Sequence, residues 1–146
     1  MDTITLVAPV LARQLAHQFH HDQTCKDGTT PYISHLERVA GRFIGKDKEA
    51  EAVAWLHDWD KTALTLTHLK QLYPSPEERA IVDALTLLAK PKYERYMDYI
   101  CRVVENPLAR KVKIADILDN LGDCPSSRQV EKYLKALPIL LQSPSN

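Results

Sequence analysis

Four glycines among 146 residues, and few stretches in which apolar and polar residues alternate, leave little material for a β-sheet. Cysteine is also sparse: Cys25, Cys101 and Cys124 are odd in number, widely spaced and without a C-x-x-C pair. That pattern speaks against a disulfide framework and fits reduced thiols. Net charge is missing as well, with 19 basic against 19 acidic side chains. A nucleic-acid polymer is gripped by surplus positive charge, so the balance argues against such a partner, although it leaves room for a local basic pocket. No apolar run approaches the ~20 residues of a membrane span. The opening Met1-Asp2-Thr3 lacks the basic start of a secretory signal. The expectation is a soluble, cytoplasmic protein.

What is present is helix. A hydrophobic share of 45% and a charged share of 26% suit a globular protein. The length suits one domain over residues 1–146, with a core from about 9 to 141. Leu6, Val10, Leu11, Leu15 and Phe19 mark a first helix that starts near Pro9 and ends at His20-His21-Asp22. A second runs from Tyr32 or Ser34 to Ile44, burying Ile33, Leu36, Val39, Ala40 and Phe43, with Gly45 as its cap. Asp47 caps a third, whose Ala52, Val53, Trp55 and Leu56 lead into His57-Asp58. A short helix is expected near Thr67–Tyr73. Ser75-Pro76-Glu77-Glu78 combines a cap, a proline and a capping box, and starts a helix reaching Ala89. Further helices are expected over Tyr93–Glu105, from Asn106-Pro107 to Leu121, and over Ser127–Leu141. In the last, Val130, Tyr133, Leu134 and Leu137 face inward and Pro138 kinks or ends the run. Ser143–Asn146 reads as a frayed tail. The fold class is a compact all-α bundle.

The chain is organised around Ala54-Trp55-Leu56-His57-Asp58-Trp59-Asp60-Lys61-Thr62, where an apolar run reaches an adjacent imidazole and carboxylate. Such a pair at the end of a buried helix can present two donors to one divalent cation. His35 upstream and Asp116 downstream are candidates to complete the set, provided three helices converge. A mixed imidazole and carboxylate set suits Mn²⁺, Fe²⁺ or Zn²⁺. Lys113, Asp116 and Asn120 share one helix face, so a lysine for phosphate and an amide for a sugar would border the same cleft. Taken singly, His35, His57, Asp58 and Asp116 each read more readily as a helix-end polar group satisfied by hydrogen bonds, and the Lys113 face as a solvated polar stripe, although its apolar neighbours make that helix largely buried. His20-His21 reads as a helix end. Tyr93, Tyr96 and Tyr99 read as a packing seam, and Trp55 and Trp59 as a packed pair near the site.

Three segments carry a resemblance: Lys26-Asp27-Gly28-Thr29-Thr30-Pro31-Tyr32-Ile33-Ser34-His35, Ala54-Trp55-Leu56-His57-Asp58, and Lys113-Ile114-Ala115-Asp116-Ile117-Leu118-Asp119-Asn120-Leu121. From about Leu11 to Leu141 the chain resembles the HD-domain metal-dependent phosphohydrolases. Within them it is most similar to the hydrolase domain of the RelA/SpoT enzymes and their small stand-alone homologues. The resemblance implies a helical HD-domain bundle holding one Mn²⁺-like ion through His35, His57, Asp58 and Asp116. It also implies removal of the 3′-pyrophosphate of (p)ppGpp by an activated water. Lys26 matches a basic loop position near the nucleotide, and Asn120 a position near its sugar and phosphate.

One departure matters. Relatives carry Glu-Asp three and four residues after the aspartate of the His-Asp pair, where this chain has Lys61-Thr62. Lysine would need a strongly depressed pKa to act as a base. Asp60 is one residue away and can substitute only if the backbone turns it into place. The basic loop is thin too, with Cys25 beside Lys26. Two readings follow: a phosphohydrolase for a small phosphorylated nucleotide, with Asp60 and Lys61 as catalytic candidates and Lys26, Lys113 and Asn120 as substrate contacts, or a degenerate HD domain that binds metal or nucleotide without turnover.

Overall fold

In a computed structural model the described residues are 3–142, with side chains described from Ala8 onward; the expected frayed tail, Ser143–Asn146, lies outside them. They form eight α-helices: α1 Thr3–His20, α2 Ile33–Gly41, α3 Lys48–Leu56, α4 Leu66–Leu72, α5 Arg79–Leu88, α6 Tyr96–Val103, α7 Pro107–Leu121 and α8 Ser127–Leu141. No strand occurs among the described residues. The loop after α1 closes instead through a single bridge between Thr24 and Pro31.

Most ends obey local chemistry. The Asp47 carboxylate accepts from the Ala50 amide at 3.0 Å and starts α3, and Asn106 accepts from Ala109 at 2.9 Å and starts α7. Ser75 and Glu78 form their capping box around a 3₁₀ turn over Pro76–Glu78, from which α5 continues.

Four expectations are corrected. Helix α1 begins at Thr3 and runs through Pro9. Its buried stripe is Ala8, Ala12 and Ala16, and Val10 is 56% exposed. Likewise α8 runs through the exposed Pro138 to Leu141 with Tyr133, Ala136 and Leu140 buried, whereas Leu134 is 60% exposed. In both, packing of the apolar face outweighs the local cost of an interior proline. Helix α2 stops at Gly41, because the amides of Lys46 and Asp47 turn back to the Phe43 carbonyl and Gly45 sits at φ 77°. Helix α6 starts at Tyr96, later than expected, since Arg95 is extended. Its Arg102 instead reaches across to Glu94 at 2.8 Å and to the carbonyl of Leu87 at 2.9 Å, tying α6 to the end of α5.

Helix α3 lies at the centre, packed against α1, α2, α5 and α7. Ala50 and the whole run Ala52–Leu56 are buried. Small side chains on α1 and α3 let these two helices approach closely, and the chain leaves α3 in the interior, with His57 as its cap residue.

Candidate metal centre

Helix α2 supplies His35 from its first turn, the end of α3 supplies His57 and Asp58, and the middle of α7 supplies Asp116. All four are buried. His35, His57 and Asp58 each offer a ligand atom within 4.8 Å of the others. Asp116 Oδ1 lies 2.9 Å from His35 Nε2 and 3.1 Å from His57 Nε2, so the three helices do converge. The far side of each imidazole is engaged. His57 Nδ1 donates to the Ala54 carbonyl at 2.7 Å, and His35 Nδ1 donates to Asp119 at 2.6 Å. These oxygens can only accept, so each ring carries its proton on Nδ1 and turns Nε2 towards the carboxylates. Two imidazole nitrogens and a carboxylate oxygen thus face one another, with one long hydrogen bond from the Asn120 amide at 3.4 Å reaching the oxygen, and a proton or a cation among them satisfies all three. That donor set fits a divalent cation.

The charges agree with this account. Burial alone would push His57 down, but Asp58 and Asp116 outweigh it and hold the ring at a pKa of about 9. Burial would push Asp58 up; His57 and Lys61 overcome it and bring the carboxyl to about 2. Asp116 is likewise held far below the usual carboxylate range, with burial outweighed by Lys113 and His57. Each aspartate has its own ammonium: Lys61 lies 3.3 Å from Asp58 Oδ1, and Lys113 lies 2.8 Å from Asp116 Oδ2. The hydroxyl of Tyr32 donates to the other Asp58 oxygen.

A pocket of about 630 Å³ opens over His35, Asp58 and Asp116. Lys26, Asp60, Lys61, Lys113 and Asn120 also reach it, whereas the buried His57 is not among its lining residues. Asn120 Nδ2 donates to Asp116 at 3.4 Å and to the Tyr133 hydroxyl at 3.2 Å. Lys26 donates to Gln129 at the start of α8. Residues 59–61 form a 3₁₀ turn, and this brings both Asp60 and Lys61 to the pocket. Asp58 raises the Lys61 pKa, so this side chain stays an ammonium and cannot serve as a base. Partial shielding by the pocket wall, and then the charge of Asp58, push the Asp60 carboxyl above its ordinary value. Thr62 turns its hydroxyl to the Trp59 carbonyl at 2.7 Å.

No family model and no curated protein matches the chain. Among solved structures, a metazoan ortholog of SpoT, described as hydrolysing ppGpp and playing a role in starvation responses, superposes with a TM-score of 0.76. The match covers 100% of this chain and 90% of that one at 21% sequence identity. The chain has the HD-domain fold.

Within this HD-domain bundle the tyrosines need a different account from the one their spacing suggests. Tyr93 is 90% exposed, whereas Tyr96 and Tyr99 line the pocket with their rings 5.8 Å apart. Lys132 of α8 places its ammonium 4.6 Å from the Tyr96 ring centre and 5.0 Å from that of Tyr133. The Tyr96 hydroxyl is buried without a hydrogen-bond partner. Lys132 and Tyr133 were not singled out as site residues from sequence, where Tyr133 was read as an inward packing residue; the recurrence of Gln129, Lys132 and Tyr133 along α8 is the one signal that could have found them. The two tryptophans belong to the core: the indole of Trp55 packs on His17, and that of Trp59 donates to the Leu85 carbonyl at 2.8 Å. His20 ends α1, bonded to Gln23 at 2.7 Å. No helix among the described residues is long and apolar enough to cross a membrane.

Proposed function

We propose that the chain is a metal-dependent phosphohydrolase acting on a small phosphorylated nucleotide, with a (p)ppGpp-like pyrophosphate as the first substrate to test. The observation that carries this is the convergence of His35, His57, Asp58 and Asp116 at a pocket bordered by lysines. The HD-domain fold shared with a ppGpp hydrolase supports it. In this reading the four residues hold one divalent cation, Mn²⁺ first, with Fe²⁺ or Zn²⁺ as alternatives. The bound ion would supply Lewis acidity, making water a better nucleophile and offsetting charge on the attacked phosphorus. Asp60 accepts the proton of the attacking water, and its raised pKa improves it as a base. Lys61 is a phosphate contact rather than a base. Lys26 and Lys113 offer further ammonium groups, and Asn120, held by Asp116 and Tyr133, orients the sugar.

A second reading has its own observation. Lys61 neutralises Asp58 where relatives carry an acid, and Thr62 faces the backbone, which favours a domain that binds metal or nucleotide without turnover. Phosphate and pyrophosphate release from a nucleotide panel including ppGpp, with Mn²⁺ and with chelator, separates the two. Release that needs the ion and vanishes in Asp58→Ala and Asp60→Asn supports the hydrolase. Binding without release supports the second reading.

A further inference from the structure

His35 is gripped from behind. Its Nδ1 donates to Asp119 Oδ2 at 2.6 Å, and the Asp119 carboxylate is received in turn by Arg38, with Nε 2.6 Å from Oδ1 and Nη2 3.0 Å from Oδ2. The Asp119 side chain is only 11% exposed and that of His35 only 5%. The sequence spacing explains the arrangement: Arg38 lies one helical turn after His35 on α2, and Asp119 one turn after Asp116 on α7. The two helices that each bring a donor to the centre are therefore cross-linked a second time, directly behind it. Arg38 gives the fork its direction and keeps both carboxylate oxygens occupied, so Asp119 has one orientation in which to receive His35.

We propose that Asp119, oriented by Arg38, is a positioning residue that sets the divalent-cation affinity of the centre through His35. This rests on the metal reading above and deepens it. A carboxylate behind a ligating imidazole fixes the tautomer, holds the ring plane and makes Nε2 more basic. His57 has only the Ala54 carbonyl in the same place, a neutral acceptor. The two imidazoles are thus held unequally, His35 by a charged acceptor and His57 by a neutral one.

The test is Mn²⁺ affinity by titration calorimetry on the full chain, with melting in chelator as the control for folding. Asp119→Ala is expected to weaken Mn²⁺ about 10–100-fold, by analogy with carboxylates behind other ligating imidazoles. Asp119→Asn, which keeps an acceptor but loses the charge, weakens it less, and Arg38→Ala falls between Asn and wild type. A purely structural role would instead lower the chelator melting temperature while leaving the affinity of the folded protein unchanged, and that result overturns the proposal. If Asp119→Ala fails to fold, Asp119→Asn carries the test, and an affinity equal to wild type in that variant overturns it. Absence of Mn²⁺ uptake by the wild type, with His57→Ala as reference, overturns the metal reading itself and this inference with it.

Discussion

A lysine three residues after Asp58 changes what that carboxylate is free to do. Lys61 holds Asp58 Oδ1 at 3.3 Å through a largely exposed side chain, while Oδ2 is the oxygen turned to His57, so the ammonium opposes a cation by charge from beside the centre. Exposed pairs of this kind are worth up to about 1 kcal/mol. Lys61→Ala is therefore expected to tighten Mn²⁺ by about two- to fivefold in calorimetry. An unchanged or weaker affinity would show that the ammonium does not compete. Tyr96 invites the opposite kind of experiment. Its hydroxyl is buried without a partner, a cost in the free protein, while its ring carries Lys132. Tyr96→Phe keeps the ring, and in urea unfolding it should raise stability by up to about 1 kcal/mol. A loss of stability would mean the hydroxyl is satisfied by ordered water. The four candidate ligands were readable at this scale because each sits in a distinctive local word. Asp119 and Arg38 were not, since a carboxylate and a guanidinium one turn from two candidate ligands look the same as any solvated pair until α2 and α7 are seen side by side.

Helix ends divide cleanly by where their energy comes from. The caps at Asp47, Ser75 and Asn106 are satisfied within three residues, and all three starts were legible in the chain. Pro9 was misread as a helix start, and Pro138 does not end α8, because the gain that retains them is long-range: Ala8 and Leu140 are buried by other helices, which no local pattern reports. The Asp47 cap makes a quantitative case. Burial would raise its pKa, but the hydrogen bonds from Lys111 at 2.8 Å and from the Ala50 amide outweigh it, and the net shift is downward. A carboxyl lowered in the folded state contributes its full stability above the ordinary carboxylate value and loses it as pH falls through the lowered one. Asp47→Ala should cost about 1 kcal/mol at neutral pH. The gap to wild type should close in urea melts taken progressively below about pH 4. A gap independent of pH would assign the effect to lost packing alone.

At the scale of the whole molecule the candidate centre works as a clasp, since its donors come from α2, α3 and α7. Saturating cation at about 100 times its dissociation constant would stabilise the fold by about 2.7 kcal/mol. For a chain of this size that is a rise in melting temperature of about 5–10 °C. The rise should disappear in His57→Ala and Asp116→Ala; a rise retained in both would place the bound ion elsewhere. The order in which the chain is made has a bearing on this clasp. The extensive pairing of α1 with α3 is complete once Leu56 has emerged from a ribosome, whereas Asp116 follows His35 by 81 positions. The N-terminal half can dock early through its alanine stripe, presenting His57 and Asp58 on a half-built surface. An ion taken up by the proposed centre would then arrive late, once α7 has joined α2 and α3, and would seal a fold already formed rather than guide its choice.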